Sequence, residues 1–261
     1  MSKQKIFKVI GIMSGTSMDG LDFSLMETDG KKHISIICEK SYFYTNSYKY
    51  KLKKIIESYN LNKKTNKLQN QKLVTEKFIQ LINKFIIEYK INKQTIDFIG
   101  LSGQTIYHNP KKKKTIQYGS CKDIQKKVKI NVIGNFRKND IKNGGQGAPI
   151  GAFYHKYIIE TFSNNSAIIN IGGISNISFL KNNKLFAFDV GPGNSLIDDL
   201  MMHFYKKNYD LNGKIAFTGN VNKIIISKIL NDVFYSMNYP KSLDRQYFNK
   251  RESQGFEFLY V

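Results

Sequence analysis

The stretch Gly11-Ile12-Met13-Ser14-Gly15-Thr16-Ser17-Met18-Asp19-Gly20-Leu21-Asp22 decides how this chain is read. An apolar run, Phe7–Met13, leads into it and another, Leu21–Glu27, leads out. Short apolar runs on either side of a glycine, hydroxyl and aspartate turn predict two strands joined by a hairpin. Glycine lets backbone N–H groups come close to an anion, and Ser and Thr hydroxyls add further donors. The turn is therefore a candidate phosphate cradle, with an ordinary hairpin turn as the alternative. Asp19 and Asp22 are candidate Mg²⁺ ligands, directly or through water, because hard cations prefer carboxylate oxygen.

Outward from this hairpin, Ile34–Cys38 predicts a third strand. The period then changes. Tyr48–Tyr59 and Gln69–Tyr89 place apolar residues three to four apart and predict amphipathic helices, whose aromatic stripe is read as core. Ile96–Ser102 predicts a buried strand delivering Ser102, Gly103, Gln104 and Thr105 to its end, a position that often carries binding groups. A short helix is expected over Cys121–Lys129, a strand over Asn131–Asn135 and a glycine-rich connection over Asn143–Ile150. Ala167–Ile171 and Ile177–Leu180 flank a glycine turn, Leu185–Phe188 predicts a further strand and Leu196–Tyr205 a helix. Strands followed by helices in two successive groups predict an α/β protein with two lobes, expected over residues 1–160 and 161–261.

Two later turns repeat the chemistry of the first. Asn170-Ile171-Gly172-Gly173-Ile174-Ser175-Asn176 is a hairpin whose glycine pair exposes backbone donors. Two such turns in two lobes are expected to clamp one polyphosphate. Phe188-Asp189-Val190-Gly191-Pro192-Gly193-Asn194 puts a carboxylate at the end of an apolar strand, before a loop and a helix. Asp189 is the candidate general base, with a turn-capping aspartate as the equal alternative. No Walker A loop, HExxH, GxSxG or protein-kinase signature occurs, so phosphate chemistry here needs another fold.

The chain is 261 residues long, 41% hydrophobic, with a formal charge of +21. That charge would suit a nucleic-acid partner, but Arg137, Arg245 and Arg251 are its only arginines and the lysines are scattered. A nucleic-acid module is the disfavoured reading, and Lys111–Lys114 is expected to be a solvated loop. No apolar run approaches membrane-spanning length, the N-terminal segment is unlike a signal peptide, and Cys38 and Cys121 match no metal spacing. A soluble cytoplasmic protein with free thiols and no membrane partner is expected.

Four segments in order and spacing, Gly11–Asp22, Asn135–Ile150, Asn170–Asn176 and Asp189–Asn194, resemble the anhydro-N-acetylmuramic acid kinase family. The similarity extends to Ser102–Thr105 with His108 and to Ser242–Asn249. The resemblance implies a two-lobed, actin-like ATPase (ribonuclease-H-like) α/β fold with mixed sheets, flanking helices and ATP held between the lobes. It implies an ATP- and Mg²⁺-dependent kinase acting on 1,6-anhydro-N-acetylmuramic acid in cell-wall recycling. In the reaction that the resemblance implies, water would attack the anomeric carbon, the anhydro ring would open, and the freed O6 would take the γ-phosphoryl group.

By motif, Asp189 would be the base for that water. Gly15, Thr16, Ser17, Met18, Asp19, Gly20, Leu21 and Asp22 would cradle the ATP phosphates, with Gly172 and Gly173 as the facing turn. Gln104, His108, Arg137, Asn170, Asn176, Gly191 and Asn194 are the implied sugar contacts, Arg137 meeting a carboxylate or phosphate unless it is simply a surface residue. The family usually shows His where Ser102 stands and Asp where Asn135 stands. Its members also continue for on the order of 100 residues past Asn249, where Lys250–Val261 departs from them. The resemblance therefore implies a C-terminally truncated chain with an incomplete second lobe, weak ATP affinity and poor solubility; a non-catalytic remnant binding only sugar or a partner is the alternative. Dimer formation stays open.

Overall fold

The computed structural model describes residues 5–15, 18–61, 66–163, 165–243 and 247–248. Its contacts gather into two compact units, Met1–Gly147 and Ala148–Val261. The first begins with three antiparallel strands, β1 (Phe7–Met13), β2 (Gly20–Thr28) and β3 (Ile34–Phe43). Helices α1 (Asn46–Asn60) and α2 (Lys67–Glu88) follow, then β4 (Phe98–Leu101), the hairpin β5 (Gln104–Asn109) with β6 (Lys114–Tyr118), α3 (Cys121–Val128), β7 (Val132–Gly134) and α4 (Phe136–Lys142). The main sheet runs β3-β2-β1-β4-β7, with β4 parallel to both β1 and β7. This mixed sheet with flanking helices is the α/β arrangement expected from the sequence.

Core formation explains the order. Strand β1 lies in the middle of the sheet and is buried at Val9, Ile10 and Ile12. Helix α2 contributes Val74, Phe78, Leu81, Ile82, Phe85 and Ile86, a single stripe at helical spacing, and its start is capped by Asn66, which accepts from Gln69 N–H. Phe85 packs on Phe23 of β2 at 5.0 Å between centroids. Truncating a wholly buried phenylalanine such as Phe85 to alanine costs about 3–5 kcal/mol.

The second unit opens with α5 (Ala152–Phe162), followed by the antiparallel meander β8 (Ala167–Ile171), β9 (Ile174–Lys181) and β10 (Lys184–Pro192). Helices α6 (Asn194–Tyr205), α7 (Lys214–Thr218), α8 (Lys223–Leu230) and α9 (Val233–Ser236) complete its described elements. Phe179, Phe186, Phe188 and Tyr239 form an aromatic layer on one face. Strand β8 is an edge, and its Ile169 and Ile171 are exposed.

Several elements differ from the sequence reading. The β5–β6 hairpin and helices α4 and α5 were not expected. Strand β3 runs on through Glu39, Lys40 and Ser41 as an edge, where polar residues are tolerated. Strand β10 continues past Asp189 to Pro192, with a register shift between Asp189 and Gly191, so Asp189 sits inside a bulged strand rather than at its end. Lys111 and Lys112 form a short 3₁₀ turn, and Lys114 already belongs to β6. Cys38 and Cys121 are unpaired thiols. Among the described residues, no helix is long and apolar enough to cross a membrane.

A polar contact joins helix α5 to β9, His155 Nδ1 to Ser178 Oγ at 2.8 Å, with Ser178 fully buried. Burial holds the His155 pKa below its ordinary value of 6.5. As pH falls, the unfolded chain therefore takes up the proton first. The contribution of neutral His155 to stability is whole above 6.5 and is lost as pH drops through 6.5 toward the folded value. Thermal midpoints measured across that range should fall with acidification, and His155→Gln should flatten this part of the profile; an unchanged profile would contradict the assignment.

Candidate active site

The first hairpin is held at both legs by named bonds. On the outgoing leg, Ser14 N–H donates to Ser102 Oγ at 3.0 Å and Ser14 Oγ donates to Gln104 Oε1 at 2.7 Å. These bonds join the ends of β1, β4 and β5, and all three residues are buried. On the return leg, Asp19 C=O accepts from Tyr44 N–H at 2.8 Å, and Asp19 Oδ1 pairs with Lys49 Nζ of α1 at 2.9 Å. Met18 takes a left-handed backbone, φ 60°, and its N–H donates to Gly15 C=O at 3.3 Å. Thr16 and Ser17 lie outside the described residues.

Leu21 is a core residue with no exposed surface, so its part in the hairpin is to anchor β2. Gly20 faces Tyr42, whose carbonyl oxygen would collide with any added Cβ. Asp22 is exposed, and its Oδ1 accepts from Ser41 Oγ at 2.6 Å. Among the described residues, no three or more His, Cys, Asp or Glu side chains come together as a metal cluster. Two exposed carboxylates on one hairpin are nevertheless a donor set that fits a cation which keeps most of its waters and takes other ligands from phosphate.

The expected sugar contacts of the first unit are each engaged. Gln104 has no exposed surface. His108 Nδ1 lies 3.1 Å from Thr115 Oγ1 across the β5–β6 hairpin. Arg137 Nη1 donates to Gly147 C=O at 2.6 Å while Asp140 Oδ2 accepts from Gly147 N–H at 2.6 Å, so one helical turn of α4 folds the glycine-rich segment back over itself.

In the second unit, strand register does the assembly. Asn170 lies opposite Asn176, and Asn176 lies opposite Asp189. Directly opposed residues share a face, so the three form one polar row across β8, β9 and β10. Asn176 and Asp189 are buried, and Asn176 Oδ1 has no hydrogen-bond partner. Asp189 Oδ2 accepts from Leu243 N–H at 2.8 Å, and Asp189 N–H donates to Lys241 C=O at 3.0 Å. The late segment thus clasps Asp189 by main chain on one side.

The turn beside this row is fixed by the opening residues of α6, through main chain and side chain. Gly172 C=O accepts from Asn194 N–H at 2.7 Å, and Gly173 C=O accepts from Gly193 N–H at 3.0 Å and from Ser195 Oγ at 2.6 Å. Since N–H and C=O of a trans peptide point in opposite directions, the N–H groups of Gly173 and Ile174 are turned away from the start of α6. Asn194 Nδ2 donates to Ile171 C=O at 3.1 Å. Gly191 sits under Tyr235, with Ser175 Oγ bonded to the neighbouring Pro192 C=O at 3.0 Å. Ser175, Ser195, Lys241 and Leu243 did not stand out in the sequence reading. A serine one residue into a helix start was the available signal for Ser195; the main-chain contacts of Lys241 and Leu243 leave none.

The chain matches a family model described as anhydro-N-acetylmuramic acid kinase over residues 7–252. A protein of that name from Rhodopseudomonas palustris (strain HaA2) is 34% identical over 248 residues, covering 92% of this chain and 67% of the relative. Like-named proteins from Zymomonas mobilis subsp. mobilis (strain ATCC 31821 / ZM4 / CP4) and Pelagibacter ubique (strain HTCC1062) are 34% and 35% identical, covering 92% of this chain and 68% and 66% of their own length.

The two glycines at this turn differ in what requires them. A Cβ on Gly193 would collide with the Gly172 carbonyl oxygen, so glycine there serves the fold. Among the described residues a Cβ on Gly172 would meet nothing nearer than Ile174 C=O at 3.6 Å, so none of them demands glycine there. Gly193→Ala should lower the thermal midpoint, whereas Gly172→Ala should leave it unchanged and weaken nucleotide binding measured by calorimetry. Equal effects of both variants on stability would contradict this division.

Proposed function

Because the chain belongs to the anhydro-N-acetylmuramic acid kinase family, we propose that it converts 1,6-anhydro-N-acetylmuramic acid and ATP to N-acetylmuramic acid 6-phosphate and ADP in cytoplasmic cell-wall recycling. The observation that carries this reading is the row Asn170–Asn176–Asp189 beside the Gly172–Gly173 turn. It sets a buried carboxylate and a buried amide oxygen without a partner next to a turn whose Gly173 and Ile174 N–H groups point away from the start of α6. A carboxylate alone would serve many reactions, and backbone donors alone would serve any anion. Together they suit a reaction that activates water and handles phosphate.

Asp189 takes a proton from water as the water oxygen bonds to the anomeric carbon. The bond from that carbon to O6 breaks, O6 bonds to the γ-phosphorus, and the bond to the bridging β,γ-oxygen breaks to release ADP. The Leu243 N–H, bonded to Oδ2, holds the carboxylate in place. Asn176, whose Oδ1 lacks a partner, orients the water or a sugar hydroxyl. Asn170, at the exposed end of the row, contacts the sugar.

The N–H groups of Gly173 and Ile174 are assigned to phosphate oxygens in the second unit, and the glycine turn that follows β1 is assigned the same role in the first. Phosphoryl transfer needs mainly positioning and charge neutralisation, which rigid main-chain donors supply. Asp22, with Asp19 once released from Lys49, would hold Mg²⁺ through its waters, and that ion would neutralise charge on the phosphates. Arg137 and His108 are engaged within their own unit and are assigned to shaping the sugar site. Gly191 and Asn194 position the loop between Asp189 and α6.

The test is turnover. Asp189→Asn should lower kcat by about 10²-fold or more, the range lost with a general base, while calorimetric affinity for the sugar stays near wild type. A wild-type rate for Asp189→Asn would remove Asp189 from the mechanism.

A further inference from the structure

The clasp on Asp189 is itself anchored, by a side chain that the proposed mechanism does not use. Segment 239–243 meets β10 at every second residue. The Tyr239 ring stacks on Phe188 at 4.9 Å, the Lys241 C=O accepts from Asp189 N–H at 3.0 Å, and the Leu243 N–H donates to Asp189 Oδ2 at 2.8 Å. Where this segment stands therefore decides where the carboxylate stands.

Helix α9 holds the segment in turn. Leu243 is buried in one cluster with Phe234 and Phe248, but apolar packing of this kind is non-directional. Direction comes from the Lys241 side chain. Its Nζ donates to Phe234 C=O at 2.9 Å and to Tyr235 C=O at 3.4 Å, and lies 4.4 Å from the centre of the Phe234 ring. The last carbonyls of a helix carry partial negative charge and suit a lysine ammonium. Phe234 is 1% exposed, and its N–H donates at 2.7 Å to Asp232 Oδ1, which also accepts from the Tyr247 hydroxyl at 3.0 Å. Asp232 thus caps the start of α9 while Lys241 grips its end.

We propose that Lys241 is a positioning residue for Asp189. Its main chain holds the Asp189 backbone, its ammonium locks segment 239–243 onto α9, and the two together keep the Leu243 N–H aimed at the carboxylate. The ammonium is half-buried with its donors directed at main-chain carbonyls, so it acts through Asp189 and not on a ligand. The proposal rests on the reading of Asp189 as the general base. A base matters in the transition state, so its displacement lowers kcat and kcat/KM together and leaves KM in place.

Lys241→Met keeps the reach of the side chain and its contact with the Phe234 ring but removes the ammonium. Lys241→Gln is the milder change, shortening the arm while keeping a donor, and it decides alone if Lys241→Met does not fold. Steady-state kinetics with MgATP and 1,6-anhydro-N-acetylmuramic acid, run well below each thermal midpoint, read the effect. For Lys241→Met, kcat should fall by about tenfold, a part of the ~10²-fold that a 1 Å misplacement costs, with KM for sugar and for ATP near wild type. Lys241→Gln should show the same split at smaller size. In the Asp189→Asn background, Lys241→Met should lower kcat no further, because the group it positions is gone.

A wild-type kcat in the folded variants would overturn the proposal even if their midpoints fall, since that pattern marks an anchor serving stability alone. A raised KM for ATP or sugar at wild-type kcat would also overturn it, because it marks an ammonium that binds ligand. Equal losses from Lys241→Met with and without the Asp189 carboxylate would break the link between the two residues. A wild-type rate for Asp189→Asn would instead remove the base itself, and this role with it, whatever the Lys241 variants do.

Discussion

The antiparallel register of β8, β9 and β10 is the constraint on which the second unit depends. It alone brings Asn170, Asn176 and Asp189 into one row, and a slip by one residue would send every member to the opposite face. The register is pinned on the other face by the stacked pair Phe179–Phe186 at 5.5 Å and by Tyr239 stacked on Phe188 at 4.9 Å. After Asp189 the ladder shifts, and the chain turns through Gly191 and Pro192 into α6. The aromatic layer and the polar row are therefore two faces of one pairing, and disturbing either moves the carboxylate.

The two glycine hairpins solve one problem by different means. In the first unit, side chains fix the turn: Ser14 to Ser102 and Gln104, and Asp19 to Lys49. In the second unit, main-chain and side-chain donors of the opening residues of α6 do it, bonded to the Ile171, Gly172 and Gly173 carbonyls. The second arrangement leaves little freedom for the turn. The first is held less tightly, because its ion pair is partly exposed.

Much of this was legible in the sequence where local chemistry and tertiary packing agree. The helix α2 stripe, the β1–β2 hairpin and the glycine turn at Gly172 follow from spacing and turn residues alone. Helix α5 escaped notice because its start, at Gly151, has no side-chain cap and its apolar residues surround the helix without a clear stripe. Helix α4 begins at Asn135 in a left-handed conformation, also without a side-chain cap. Strands β5 and β6 are short and largely polar, so Gln104 and Thr105 read as the loop at a strand end and Lys114 as part of a solvated loop. Of the site, residue types on the turns were readable. The clasp of Leu243 on Asp189 spans 54 residues through a main-chain N–H and leaves no trace in residue type.

The central claim is that one buried aspartate directs water onto the sugar while the freed oxygen is phosphorylated. Mass spectrometry of the product formed from 1,6-anhydro-N-acetylmuramic acid and MgATP tests this most directly. The account predicts a product heavier than the substrate by one water and one phosphoryl group together. A product that gained a phosphoryl group alone, with the anhydro bridge intact, would contradict it.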